Sequence, residues 1–82
     1  MKLIKFYTRT CVPCKMMEPI IEKIIQNYPN INYEPIDCTE GVPEEWEKEI
    51  RSVPTILIER EGQITKIVGV KTYECLEKLI NE

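Results

Sequence analysis

Two cysteines three positions apart, Cys11 and Cys14, are the side chains in this sequence best placed for chemistry. With Val12 and Pro13 between them, two uses are open to the pair. It can hold a metal through its thiolates, or it can interconvert between dithiol and disulfide, carrying two electrons. A zinc site needs further ligands. The chain has no histidine, and its other cysteines, Cys38 and Cys75, form no second closely spaced pair. Neither zinc nor an iron–sulfur cluster is therefore favoured, and no cofactor is expected. As a staple the pair is poor, because so short a loop removes little entropy from the unfolded chain. Redox chemistry remains. In it, Cys11 attacks a disulfide, a mixed disulfide forms, and Cys14 resolves it by attacking Cys11.

That chemistry needs a thiolate, so something must favour a negative sulfur. The neighbouring elements supply it. Lys2 to Thr8 reads as a strand, with Leu3, Ile4, Phe6 and Tyr7 forming the near-continuous apolar run of a strand covered on both faces. Beyond Cys14, Met17, Ile20, Ile21, Ile24, Ile25 and Tyr28 recur at helical spacing, opposite a polar face. Pro13 suits the first turn of this helix, where a missing N–H costs nothing. Pro19 lies in its interior and predicts a kink. Cys11 thus falls at a helix N-terminus, where free N–H groups and the macrodipole favour the thiolate. Arg9 and Lys15 flank it and add to that bias.

Further on, Ile31 to Asp37 reads as a weaker strand, and Pro35 assigns it to an edge or a bulge. Pro43 opens a second predicted helix, with Glu44, Glu45 and Glu47 in its first turn and Trp46, Ile50 and Val53 as a narrow apolar face. Ile56-Leu57-Ile58 and Ile64 to Val68 form a hairpin about Glu61-Gly62. Thr72 caps a last helix whose core side is Leu76, Leu79 and Ile80. The order is β-α-β-α-β-β-α, an α/β fold with a four-stranded mixed sheet of order 2-1-3-4. The first two strands are parallel through a right-handed crossover, and helices cover both faces. Cys38 and Cys75 are both expected to pack as small apolar side chains.

Composition bounds the rest. Eighty-two residues, 43% of them hydrophobic, suit a single folded domain over 1–82. A net charge of −3 with mixed signs leaves no nucleic-acid footprint and no membrane-binding basic patch. The start, Met1 to Phe6, is too short and too charged for an export signal, so a cytoplasmic address and a monomer are expected.

Several segments are similar to the thioredoxin superfamily, in a small form lacking an extra N-terminal strand and helix. Cys11 to Ile20 resembles the active site and its helix, including the proline at position 19. Ile50-Arg51-Ser52-Val53-Pro54-Thr55 resembles the segment around the family's cis-proline. Val68-Gly69-Val70 matches the glycine beside its substrate groove, and Leu76 to Ile80 suits its closing helix. The resemblance implies a thiol–disulfide oxidoreductase reducing protein disulfides, of thioredoxin or glutaredoxin-like type. It also implies that Pro54 is cis, faces the cysteines, shields them from metals and stray thiols, and presents the backbone of Val53 to an extended substrate strand. Val12, Pro13, Val53, Pro54 and Gly69 become the candidate substrate-binding residues.

The departures are informative. Thr10 and Val12 replace the tryptophan and glycine usual in thioredoxins, and the glutaredoxin Cys-Pro-Tyr-Cys is absent. Potentials in this superfamily, thioredoxin itself included, span on the order of 150 mV, about 7 kcal/mol, so the motif leaves the direction of electron flow open. Lys5 stands where thioredoxins place a buried aspartate, and Tyr33 roughly where that aspartate's lysine partner stands. The ordinary reading of Lys5 is a stem along the sheet with its amine in water. The other is an ammonium under the active site that favours the Cys14 thiolate. The electron donor is either a thioredoxin reductase or glutathione. Lys71, Thr72 and Tyr73 lack the paired acids many glutaredoxins use for glutathione, which favours the reductase. The rival classes are a glutathione-coupled carrier, a non-catalytic binding module on the same fold, and a cysteine metal site.

Overall fold

Leu3, Ile4 and Phe6 place apolar bulk on both sides of one strand, and a strand like that has to lie inside a sheet. In the structure, a computed structural model describing residues 1–82, it does. β1 (Lys2–Tyr7) pairs in parallel with β2 (Asn32–Asp37) and antiparallel with β3 (Thr55–Arg60). β3 pairs antiparallel with β4 (Gln63–Val68), giving the order β2-β1-β3-β4. β2 is an edge strand, as Pro35 requires. The hairpin turns through Glu61 and Gly62 at φ 51° and 81°, the pair of positive values that a two-residue turn matched to strand twist demands.

The two helices are α1 (Val12–Asn27) and α2 (Tyr73–Ile80). Both lie on one face of the sheet. Met17, Ile21 and Ile24 of α1 and Leu76 and Ile80 of α2 share a cluster with Leu3, Ile56, Ile58 and Ile67. α1 continues through Pro19 to Asn27. Thr72 caps α2, its hydroxyl accepting the Cys75 N–H at 3.1 Å. A polar clasp joins the end of α1 to α2: the Tyr28 and Tyr73 hydroxyls both donate to Glu77 Oε2, at 2.9 and 3.0 Å. Arg60 donates to the carbonyls of Leu79 and Ile80 at the end of α2.

The other face differs from the sequence-based expectation. The helix expected after Pro43 is a single 3₁₀ turn, Glu44–Trp46, followed by irregular chain. Its hydrogen bonds run mainly three residues back, from Trp46 N–H to Pro43 O and from Glu49 N–H to Trp46 O. Helices therefore do not cover both faces. Three physical terms oppose a longer helix. The segment is short, so nucleation is not recovered; Glu45 and Glu49 repel at i, i+4; and Val53, preceding Pro54, is driven out of the α region.

The apolar pattern there reported burial correctly but not its geometry. Ile50 is buried with Ile4, Phe6, Cys38 and Leu57, and Val53 and Trp46 pack against them. Trp46 meets Phe6 edge-on, with ring centroids 5.5 Å apart. With only this segment above it, the face is thinly covered toward β4, where Ile64 and Val68 remain exposed.

Leu76 is fully buried where α2 meets the sheet. Leu76→Ala should lower unfolding free energy by about 2–5 kcal/mol, a large share of what a domain this small holds. Urea denaturation followed by Trp46 fluorescence measures it.

Candidate active site

Strand register decides which residues can meet. Tyr7 ends β1 beside Asp37, which ends β2, while Thr55, which starts β3, lies opposite both Phe6 and Val68. The loops after β1, β2 and β4 and the loop before β3 therefore open at one end of the sheet. Cys11, Pro54, Gly69 and the Cys38–Glu40 segment all lie there.

Cys11 is the N-cap of α1, with extended backbone at φ −83° and ψ 108°. Its Sγ accepts the N–H of Cys14 at 3.1 Å, and its carbonyl accepts the N–H of Lys15 at 3.2 Å. A cap side chain satisfies one of the N–H groups a helix start leaves unpaired, and here that acceptor is the sulfur itself. Pro13 occupies the turn where no N–H is required. Cys11 and Cys14 form a disulfide, with Cα atoms 5.2 Å apart. The two sulfurs differ in access. Cys11 is half-buried, beside Val12 at 65% exposure, whereas Cys14 is 2% exposed.

In the loop before β3, at the same end of the sheet, the Val53–Pro54 bond is cis and Pro54 is buried. The Pro54 carbonyl accepts the Gly69 N–H at 2.9 Å, joining the two loops that border the site. Gly69 adopts φ 87°, a region that disfavours residues with a Cβ. The Lys71 N–H donates to Met17 Sδ at 3.4 Å, which ties the chain after Gly69 to the second turn of α1. Val12, Met16 and Val70 supply exposed apolar surface at this end.

The charged candidates separate. Arg9 turns toward β2's loop: its guanidinium lies 3.5 Å from Asp37 and 3.6 Å from Glu40. Its N–H donates to Thr39 Oγ1 at 2.9 Å. Asp37 is held below the usual carboxylate range by hydrogen bonds from the Thr39 side chain and backbone, with Arg9 adding to the effect. Arg9 thus anchors the loop before Cys11, and its charge is already met by carboxylates. Asp37-Cys38-Thr39 is a local side-chain turn that its spacing could have revealed. Lys15 is exposed, while Lys5 is 4% exposed beneath α1. Burial pushes the Lys5 amine below the ordinary lysine value, and Glu18 and Glu22 partly offset this.

The remaining cysteines also separate. Cys38 is buried, as expected, and desolvation, followed by Asp37, pushes its thiol up. Cys75 is exposed, contrary to expectation. It lies in the first turn of α2, where only Leu76 is buried. No group of three or more cysteine, aspartate or glutamate side chains is gathered as a metal site. No helix is long and apolar enough to cross a membrane.

Comparison with known proteins decides the family. The thioredoxin family model matches residues 1–82. The chain belongs to the thioredoxin family. It is 38% identical over 81 residues to mitochondrial thioredoxin-3 of Saccharomyces cerevisiae, covering 98% of this chain and 63% of that protein. It therefore spans less than two thirds of that relative's length. Identity to the thioredoxin of Chlamydia pneumoniae is 31% over 81 residues, covering 98% of this chain and 79% of that protein. The crystal structure of oxidised yeast mitochondrial thioredoxin 3 superposes with a TM-score of 0.83 at 36% identity, covering 98% of this chain and 76% of that one. A further structure, described as the basis of thiol resolution in yeast mitochondrial 1-Cys peroxiredoxin via glutathione and thioredoxin systems, gives 0.84 at 35%, with the same coverage. The chain thus has the expected thioredoxin-like fold with a four-stranded mixed sheet of order 2-1-3-4, and two helices where the sequence predicts three.

Exposure ranks the unpaired thiols of this thioredoxin-family chain. A maleimide added to the oxidised, folded protein should label Cys75 rapidly and Cys38 only after denaturation. Peptide mass mapping checks the order, and equal rates would contradict the burial of Cys38.

Proposed function

We propose that this chain reduces protein disulfides through Cys11 and Cys14. The observation that carries the reading is the asymmetry of the pair: an approachable sulfur capping a helix, bonded to a sulfur buried one turn further in. In the reduced protein, unpaired N–H groups at the helix start favour the Cys11 thiolate over its thiol. That thiolate attacks one sulfur of a substrate disulfide, and the other leaves as a thiolate and takes up a proton. Cys14 then loses its proton and attacks Cys11 Sγ. The bond from Cys11 to the substrate breaks with its electron pair, and the second substrate thiol is released. The chain is left oxidised by two electrons, and its substrate is reduced by two.

Val53, Pro54 and Gly69 form the substrate groove in this reading, with Val12 and Pro13 as its near wall. An extended segment pairing with the Val53 backbone suits many substrate sequences, because main-chain bonding is sequence-tolerant. A thioredoxin reductase returns the electrons. Lys71, Thr72 and Tyr73 at the start of α2 supply none of the paired acids that would favour glutathione. The protein works as a monomer in the cytoplasm. Two unpaired thiols, Cys38 and Cys75, support a reducing compartment.

Reduction of insulin disulfides under a thioredoxin reductase and NADPH is the direct test. The parent should turn over; Cys11→Ser should fall to background. Cys14→Ser should accumulate as a covalent mixed disulfide through Cys11, because attack proceeds and resolution does not. A Cys11→Ser, Cys14→Ser protein with full cellular function would assign the fold to partner binding instead. Faster reduction of the oxidised parent by glutathione than by the reductase would reverse the choice of donor.

A further inference from the structure

Lys5 is the one buried residue that carries a full charge when protonated, and no carboxylate lies within ion-pair distance of its amine. On β1 it shares the helix-covered face with Leu3 and Tyr7, by strand alternation. Its amine sits 5.2 Å from the centre of the Tyr7 ring. It lines an open groove of about 470 Å³ between α1 and the β2 edge, with Tyr7, Tyr33, Glu18, Ile21 and Glu22. A buried ammonium without an ion pair is costly, so its retention in a domain with little stability to spare calls for a use.

The helix side of the groove shows what the charge faces. Glu18, Ile21 and Glu22 form one stripe of α1, and Cys14 is the residue one turn before Glu18 on that stripe. The groove therefore lies under α1 about one helical turn below the buried resolving cysteine, which does not itself line it. Burial alone makes a Cys14 thiolate unfavourable, yet that thiolate is the species that must attack. The Cys14 N–H already bonds to Cys11 Sγ, and the dipole of the helix start is directed at Cys11.

We propose that Lys5 is a positioning residue for the resolving step, its ammonium in this groove stabilising the Cys14 thiolate. The inference rests on the proposed redox role of the pair. Cys14 gives up its proton to solvent, its lone pair forms the bond to Cys11 Sγ, and the departing substrate thiolate takes up a proton in turn. Lys5 keeps its own proton throughout. The groups facing it are Glu18 and Glu22 from α1, Tyr7 from β1 and Tyr33 from β2. The two carboxylates favour the charged amine, whereas desolvation opposes it. Burial holds the Tyr33 phenol neutral to higher pH than usual, so it adds no competing negative charge near neutrality.

Mixing the reduced protein with excess dithiobis-nitrobenzoate separates the steps, because each releases a coloured thiolate. Attack by Cys11 gives the first phase, and attack by Cys14 the second. A Cys75→Ser background removes the exposed thiol from the signal. In Lys5→Met the pH limb of the second phase should move upward by about one pH unit. The thiolate fraction then falls roughly tenfold at neutral pH, but a more basic thiolate is a better nucleophile, so the net slowing is about threefold. Lys5→Arg, which keeps the charge, should hold the parent profile.

Folding is not expected to suffer. A lysine whose folded value lies below its unfolded one destabilises the fold while it is charged, so Lys5→Met should be no less stable at neutral pH, with any gain fading as pH rises from the folded value to the unfolded one. A second-phase profile for Lys5→Met that superimposes on the parent overturns the inference, as does a Lys5→Arg profile matching Lys5→Met. Should Lys5→Met not fold, the parent suffices. With carbon-labelled lysine followed by NMR, Lys5 should titrate at higher pH in the reduced protein than in the oxidised one, because coupling between two charges is reciprocal. Identical titrations overturn the proposal. A parent that shows neither phase would instead refute the redox reading itself.

Discussion

The burial of Met17, Ile21 and Ile24 in one cluster with Leu3 and Ile56 holds α1 across the sheet. The rest of the site depends on that contact. A helix N-terminus can favour a thiolate only at its own first turn, because the field of the dipole fades within one turn. Cys11 gains the effect by being the cap, and the cap has a fixed position only because the stripe behind it is packed. At the other border, the hydrogen bond from Gly69 N–H to Pro54 O and that from Lys71 N–H to Met17 Sδ join the loops to each other and to the same helix. The site is a set of loop ends whose mutual distances are inherited from one apolar seam.

Most of this frame was legible in the residues. The run in β1, the helical stripe from Met17, Pro35 on an edge and Glu61-Gly62 in a tight turn each have one dominant physical cause, and each appears in the structure where it was read. From Pro43 to Val53 the residue pattern misleads, because burial and helical geometry leave the same mark over one or two turns. Trp46, Ile50 and Val53 do bury apolar surface, but they do so from irregular chain. The exposure of Cys75 has a related reason. In a two-turn helix only Leu76 and Ile80 are buried, so a neighbour of Leu76 can face water.

Charges were the least legible feature, since their effect depends on partners that pattern does not reveal. Arg9 stands two residues before Cys11 and looks like a thiolate stabiliser. In the fold its guanidinium meets Asp37 and Glu40, and its influence on the sulfur is largely cancelled. Lys5 is more distant in sequence, yet its charge is not cancelled at contact distance and the residue is almost wholly buried under α1. Screening makes proximity in sequence a poor guide: a compensated surface charge counts for less than an uncompensated buried one.

The same comparison bears on the direction of electron flow. Whatever stabilises thiolates stabilises the dithiol state and makes the disulfide a stronger oxidant. The helix cap acts this way on Cys11, while the burial of Cys14 acts against it by penalising charge on the second sulfur. Val12, standing where a glycine is usual in thioredoxins, is exposed and touches the balance little through charge. The balance therefore depends on how far the environment beneath Cys14 relieves its desolvation. That places the tuning of the pair in the sheet under the helix, and less in the two residues between the cysteines.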